Sequence, residues 1–265
     1  MVSICRSMEK RFHTIRKPHR TPSADMVFGI QSVTETIRSG KEIERLLIQR
    51  ELGMNEIQKL ATELGIPYQK VPVEKLNRLT RKNHQGVICF VSPIRYAPLD
   101  NVMPQIYEDG QTPFLLMLDR VTDVRNFGAI ARTAECAGIQ AIVVPAKGGA
   151  QINADAMKTS SGALNYIAVC RENSLKEATT FLTDSGLQVV ACTEKATDTI
   201  YDVDFTHPTV IIMGSEEDGI SPELMNMVDR QVKIPLVGKV DSLNVSAAAA
   251  VILYEAVRQK EVEKK

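Results

Sequence analysis

Apolar and polar positions along the chain follow two different periods, and the places where the period changes mark its organisation. Across residues 26–93 short stretches of both kinds take turns. Ile30, Val33 and Ile37 fall on one helical face, residues 45–48 read as a strand, and Ile57, Leu60, Ala61 and Leu64 mark a second helix. The run GVICFV at residues 86–91 is apolar and β-branched enough for a buried strand. This pattern predicts a small α/β domain. The stretch SPIRYAPLDNVMPQIYEDGQT that follows holds three prolines and a glycine, so residues 94–111 read as a linker. Beyond it, the apolar runs PFLLMLD, IQAIVVP, LQVVAC and TVIIMG are separated by helix-length segments, which predicts an α/β domain with a mainly parallel sheet over residues 112–265. Asn244 is placed to cap a closing helix, with Val245, Ala248, Ala249 and Ile252 on one side before the charged end RQKEVEKK.

Composition adds limits. With 265 residues and 44% hydrophobic positions the chain can supply one large core or two modest ones. Lys plus Arg and Asp plus Glu both total 32, so the distribution of charge carries more information than its sum. Residues 1–25 concentrate six basic side chains (Arg6, Lys10, Arg11, Arg16, Lys17 and Arg20) against Glu9 and Asp25, which reads as a flexible basic arm. Five cysteines without any CxxC pair suggest neither a disulfide framework nor a zinc site, and four scattered histidines do not make a metal site either. No apolar run reaches the ~20 residues that cross a bilayer, and the N-terminus lacks the apolar stretch of a secretory signal. A cytoplasmic protein that needs neither membrane nor metal is the expectation.

Ligands of parallel sheets sit beyond the carboxyl ends of the strands, so the loops there come first. After PFLLMLD the chain reads RVTDVRNFGAIARTAECAG with no GxGxxG, which argues against a dinucleotide-binding domain. Asn126, Gly128 and Arg132 stand out instead: a turn amide, a glycine that permits close backbone approach, and an arginine further into the helix. After TVIIMG comes GSEEDGISPEL, where Gly214 and Gly219 bracket acidic residues and Ser221-Pro222 starts a helix. In the third block, IPLVGKVDSLNVSAAAA, a polar loop with Asp241, Ser242 and Asn244 leads into the last helix. Singly, each block also reads as an ordinary solvated arginine, a plain strand-to-helix turn, or a helix start.

Together the three blocks, NxGxxxR, GSExxG and IPxxGxxxSLNVS in that order, resemble the SpoU/TrmH family of RNA 2′-O-ribose methyltransferases. FGIQSVTETI and HQGV at residues 84–87 resemble the substrate-binding domain of its ribosomal-RNA members, in particular the 23S rRNA guanosine 2′-O-methyltransferase subgroup, so the likeness spans about residues 26–260. In one departure, Val124 stands where the family commonly has proline after Asp123, which puts the stiffness of that turn in question. Arg125 adds a charge beside the site.

The resemblance implies a deep trefoil knot in the C-terminal domain, an L30e-like N-terminal domain, a homodimer built through the knotted domains, and S-adenosylmethionine as cofactor. Gly214, Ile234 and Leu243 match the cofactor-contact positions. Arg132 matches the arginine that activates the ribose hydroxyl, and Asn126, Glu216, Ser242 and Asn244 match the remaining polar positions. Arginine holds its proton at any ordinary pH, so electrostatic activation is favoured over proton abstraction by Arg132. Glu216 can alternatively pair with Arg132. In KLNRLTRKNHQG the cations Arg78, Arg81, Lys82 and His84, with Lys75, are placed to follow RNA phosphates, or form a solvated helix end. His84 as a catalytic base is disfavoured, because the cofactor motifs lie in the other domain. The expected substrate is a guanosine of large-subunit ribosomal RNA. A transfer-RNA ribose methyltransferase and a non-catalytic, knotted RNA-binding or ribosome-assembly protein are the alternatives.

Overall fold

The computed structural model describes residues 26–263 and places them in two sheets. The smaller comprises β1 (Met26–Phe28), β2 (Ile43–Gln49), β3 (Tyr68–Val71) and β4 (Val87–Val91), in the order β1-β4-β2-β3. β4 runs antiparallel to both β1 and β2, whereas β2 and β3 are parallel. Helices α1 (Ile30–Arg38) and α2 (Asn55–Glu63) bury Val33, Ile37, Ile57 and Ala61 against Leu46 and Ile48 on one face. Helix α3 (Val73–Leu79) places Leu76 against Leu47 and Ile88 on the other. The unbroken LLI of β2 follows from this, since successive strand side chains point to opposite faces and both faces here are covered. The predicted helical faces narrow at their ends: Ile30 and Leu64 are 44% and 55% exposed.

The larger sheet comprises β5 (Phe114–Leu118), β6 (Ala141–Pro145), β7 (Ala168–Glu172), β8 (Gln188–Cys192), β9 (Asp198–Thr199), β10 (Thr209–Met213) and β11 (Arg230–Lys233). Its order is β7-β6-β5-β10-β8-β11-β9 and every pairing is parallel. One face is covered by α5 (Val124–Cys136), α6 (Ala154–Thr159) and α9 (Val245–Glu263), the other by α4 (Leu99–Glu108), α7 (Leu175–Asp184) and α8 (Pro222–Met225). In β5, Phe114, Leu116 and Leu118 face the first set, and Leu115 and Met117 the second. Strand order reverses between β5 and β10, which puts the loops after β5, β10 and β8 side by side at the switch point where ligands of such sheets bind.

The expected α/β class with a parallel-sheet domain is what the structure shows. The segment that reads as a linker is a correction: α4 occupies most of it, and Leu99, Met103 and Ile106 are buried against the larger sheet. The basic arm of residues 1–25 lies outside the described residues. Among the described residues no helix is long and apolar enough to cross a membrane, and no cluster of three or more His, Cys, Asp or Glu side chains is placed to hold a metal ion.

Candidate functional site

The loops after β5 and β10 are tied together first. Asp119, buried at the end of β5, accepts the Ser221 N–H through Oδ2 at 2.6 Å. Arg120 adopts a left-handed backbone (φ 57°) that turns its guanidinium across to the GSEEDG loop, where it donates to Asp218 Oδ2 (3.3 Å) and to the Gly219 carbonyl (3.1 Å). Within that loop Ser215 and Gly219 exchange main-chain bonds of 3.1 and 3.0 Å. Gly214 lies so close beneath the turn that a Cβ there would sit 2.0 Å from the Gly219 carbonyl carbon. Such a glycine serves close backbone approach.

Asp123 starts α5: its carboxylate accepts the N–H groups of Arg125 (2.9 Å) and Asn126 (2.8 Å). This cap organises the turn that proline commonly stiffens in the family. It also aims Asn126 at a compact polar cluster. Asn126 Nδ2 donates to Glu216 Oε1 (3.1 Å), and Asn244 Nδ2 donates both to that oxygen (2.6 Å) and to Asn126 Oδ1 (3.1 Å). The N–H of Val245, the first residue of α9, donates to the same Glu216 oxygen at 3.2 Å, so the carboxylate sits on a helix N-terminus that favours negative charge. Asn244 Oδ1 in turn accepts from Ser246 N–H (3.0 Å), the predicted cap.

Beside the cluster is a pocket lined by Cys192, Thr193 and Glu194 at the end of β8, Met213 to Glu216 and Gly219 at the end of β10, and Ile234, Leu236 and residues 241–243 before α9. Gly214, Ile234 and Leu243 all line it, as do Glu216 and Ser242. Its walls combine main chain, aliphatic side chains and three acidic residues (Glu194, Glu216 and Asp241), with no basic side chain. Such a lining suits a cationic ligand with an apolar body and disfavours a phosphate-bearing nucleotide. Burial pushes the Cys192 thiol up to about 12, with the Glu194 charge acting in the same direction, so this wall is an uncharged thiol. A second cavity, which shares Ser215, Glu216 and Val245 with this pocket, is lined by Arg120, Asp123, Asn126, Gly148, Glu217 and Asp218 among others.

Three expected residues sit differently. Arg132 is exposed on α5, has no hydrogen-bond or ion-pair partner among the described residues, and does not join the cluster; Glu216 is held by Asn126, Asn244 and Val245 rather than by Arg132. Gly128 admits a helix, not a ligand: a Cβ there would meet the Ala156 carbonyl oxygen of α6 at 2.9 Å. His84 is 8% exposed, accepts the Gly86 N–H at Nδ1 (3.0 Å) and therefore offers its Nε2 proton to Asn77 Oδ1 (3.0 Å). With both ring nitrogens engaged within the chain, its side chain supports the turn from residues 84 to 87. Arg78, Arg81 and Lys82 are exposed around it. Cys192, Thr193 and Glu194, and the tie made by Asp119 and Arg120, escape motif reading, although their place at the carboxyl ends of β8 and β5 is the available signal.

The comparisons fit this layout. A family model described as the SpoU rRNA Methylase family matches residues 113–254, and one described as RNA 2′-O ribose methyltransferase substrate binding matches residues 26–97. A putative TrmH family tRNA/rRNA methyltransferase, YacO, of Bacillus subtilis is 32% identical over 239 residues, covering 89% of this chain and 96% of that protein. The 23S rRNA (guanosine-2′-O-)-methyltransferase RlmB of Photobacterium profundum is 34% identical over 245 residues, covering 91% of this chain and all (100%) of that protein. The crystal structure of the SpoU methyltransferase AviRb from Streptomyces viridochromogenes with AdoMet superposes with a TM-score of 0.58 at 26% identity, covering 89% of this chain and 90% of that one.

Proposed function

The chain belongs to the SpoU rRNA methylase family, and from that premise we propose that it transfers a methyl group from S-adenosylmethionine to a ribose 2′-hydroxyl of structured RNA, with a guanosine of large-subunit ribosomal RNA as the substrate. The observation that carries the reading is the acidic, backbone-lined pocket in direct contact with the Asn126–Glu216–Asn244 cluster through the shared Glu216. AdoMet bound to AviRb supports the cofactor, and the RlmB and YacO relatives support ribosomal and transfer RNA as substrate classes.

The cofactor supplies a methyl carbon activated on a positively charged sulfur. Gly214 and the turn to Gly219 would admit it close to main chain, Ile234 and Leu243 would supply apolar wall, and the carboxylates of Glu194, Glu216 and Asp241 would compensate its positive charge. The chain's own task would be positional: to hold a ribose hydroxyl toward the cofactor pocket and exclude competing water, so that the C–O bond could form as the C–S bond breaks with its electron pair left on sulfur and the hydroxyl proton passes to solvent. The second cavity, which shares Ser215, Glu216 and Val245 with the pocket, would receive the ribose, with Asn126 and Asn244 fixing the Glu216 carboxylate between them. Arg132 lines neither cavity, so its exposed guanidinium would act on the RNA itself, neutralising a phosphate beside the reacting ribose as negative charge develops. Exposed Val237, Val240, Val251 and Tyr254 would offer apolar side chains to a second copy of the larger domain in the homodimer that the resemblance implies. Mapping ribose methylation by mass spectrometry in ribosomal and transfer RNA, with and without the gene, tests the assignment. One large-subunit guanosine is expected to lose its methyl group. A change confined to transfer RNA replaces the substrate, and no change in any RNA defeats the reading.

A further inference from the structure

We propose that Glu44 is a positioning residue that fastens the smaller domain to the loop lining the substrate cavity, through a buried cluster with Tyr96, Arg171 and the main chain of Ile152. The cluster is read from geometry alone; what it positions rests on the function proposed above.

β2 loses its register against β4 between Ile43 and Arg45, and the irregularity turns Glu44 out of the sheet toward the larger domain. Its side chain is only 9% exposed, yet both oxygens are used. Oε1 accepts the Ile152 N–H at 2.9 Å, and Oε2 accepts the Tyr96 hydroxyl. Arg171, on β7, stands 3.7 Å from Oε2, stacks its guanidinium 4.0 Å above the Tyr96 ring, and donates to the Ile43 carbonyl at 3.2 Å. An apolar contact would let two domains slide, whereas these directional bonds admit one arrangement. Removing any partner leaves buried polar groups unmatched.

What the carboxylate holds on the far side is the loop of residues 146–153. Its first residue, Ala146, donates to the Glu172 carbonyl (2.8 Å), and Ala150 donates to the carbonyl of Val121 (2.7 Å), next to Arg120. Gly148 of this loop and Arg120, Val121 and Asn126 line the second cavity. Beyond Ile152, Asn153 caps α6, the helix packed against Gly128 of α5. A side chain of the domain that carries Arg78, Arg81 and Lys82 thus reaches the wall of the cavity through its own bond to the Ile152 N–H and the main-chain bond from Ala150 to Val121. RNA held by the first domain would be delivered at a fixed distance from the cavity.

The test uses the full chain, with steady-state methyl transfer to ribosomal RNA, cofactor titration, and hydrogen exchange read by mass spectrometry. E44A is expected to raise KM for RNA by about 10-fold while leaving cofactor affinity unchanged, and to speed exchange at residues 146–152 by at least about 10-fold. E44Q, which keeps an acceptor for the Ile152 N–H, restores most of the loss, and Tyr96→Phe raises KM by a smaller factor. Unchanged KM in E44A overturns the proposal whether or not exchange accelerates, because the cluster is then interface packing only. Where E44A does not fold, Tyr96→Phe decides, and unchanged KM in that variant overturns it. If the wild-type protein methylates no RNA, the activity reading falls, and unchanged exchange in E44A would still overturn the fastening on its own.

Discussion

At Gly214 one carbon atom separates an open pocket from a blocked one. A Cβ would lie 2.0 Å from the Gly219 carbonyl carbon and 2.2 Å from its oxygen, and these are backbone atoms that cannot swing aside. Gly214→Val is therefore expected to displace the turn that forms the pocket and to abolish S-adenosylmethionine binding, read as heat in a titration; saturable binding by the variant would show that the cofactor sits elsewhere. Arg132 makes the opposite prediction. It touches neither the pocket lining nor the Glu216 cluster, so Arg132→Ala should leave cofactor affinity intact while lowering turnover by about two decades, the scale of a lost stabiliser of developing charge. Arg132→Lys should recover little if the planar fork is what the RNA requires. Near-normal turnover in Arg132→Ala removes the arginine from the chemistry. At this scale the motifs carried real information, since Asn126, Glu216 and Asn244 are far apart in sequence and meet at one oxygen. They carried none about His84, because a ring accepting a main-chain N–H two residues on reads in sequence as one more cation in a basic run.

Elements were legible where burial is complete and obscure where it is partial. β5, β6, β8 and β10 are near-continuous apolar runs because both faces of the sheet are covered. β3 (YQKV) and β7 (AVCRE) mix polar residues into strands that end their sheets, so neither period stands out. α4 was hidden by its prolines. Pro98 precedes its first turn, but Pro104 sits inside and costs roughly 3 kcal/mol. Leu99, Met103 and Ile106 offset that, since burying each is worth about 1.5–3 kcal/mol. The packing wins, and its trace in the sequence is the spacing of Leu99, Val102, Met103 and Ile106 at i, i+3, i+4 and i+7, a helical face that the prolines mask. α5 depends on a smaller term. Asp123 accepts two N–H groups at the helix start, and one of them belongs to Asn126. Asp123→Ala should cost about 1 kcal/mol of stability, seen as a lowered melting temperature, and should lower turnover more than that loss implies because Asn126 is then less well aimed. A turnover loss no larger than the unfolded fraction would limit Asp123 to a structural cap.

Over the whole molecule, a formal charge of zero conceals a segregation that matters more than the sum. The pocket in the larger domain is acidic along its lining, whereas α3 and the turn after it hold Arg78, Arg81 and Lys82 exposed on the smaller domain. Screening over about 8 Å at physiological ionic strength keeps the two fields from cancelling at these separate surfaces. Each can then serve a ligand of opposite sign, a cation in the pocket and a polyanion on the smaller domain. Reversing Arg78, Arg81 and Lys82 to glutamate should weaken RNA binding and flatten its dependence on salt by roughly one unit of log–log slope for each phosphate that is no longer neutralised. Cofactor affinity should not change, because the pocket lining belongs entirely to the other sheet. His84→Ala separates charge from support: it removes a buried turn residue rather than a phosphate ligand, so it should lower stability and leave the slope unaltered. A triple variant that binds RNA with the wild-type slope would place the RNA surface elsewhere and reduce the basic run to a solvated helix end.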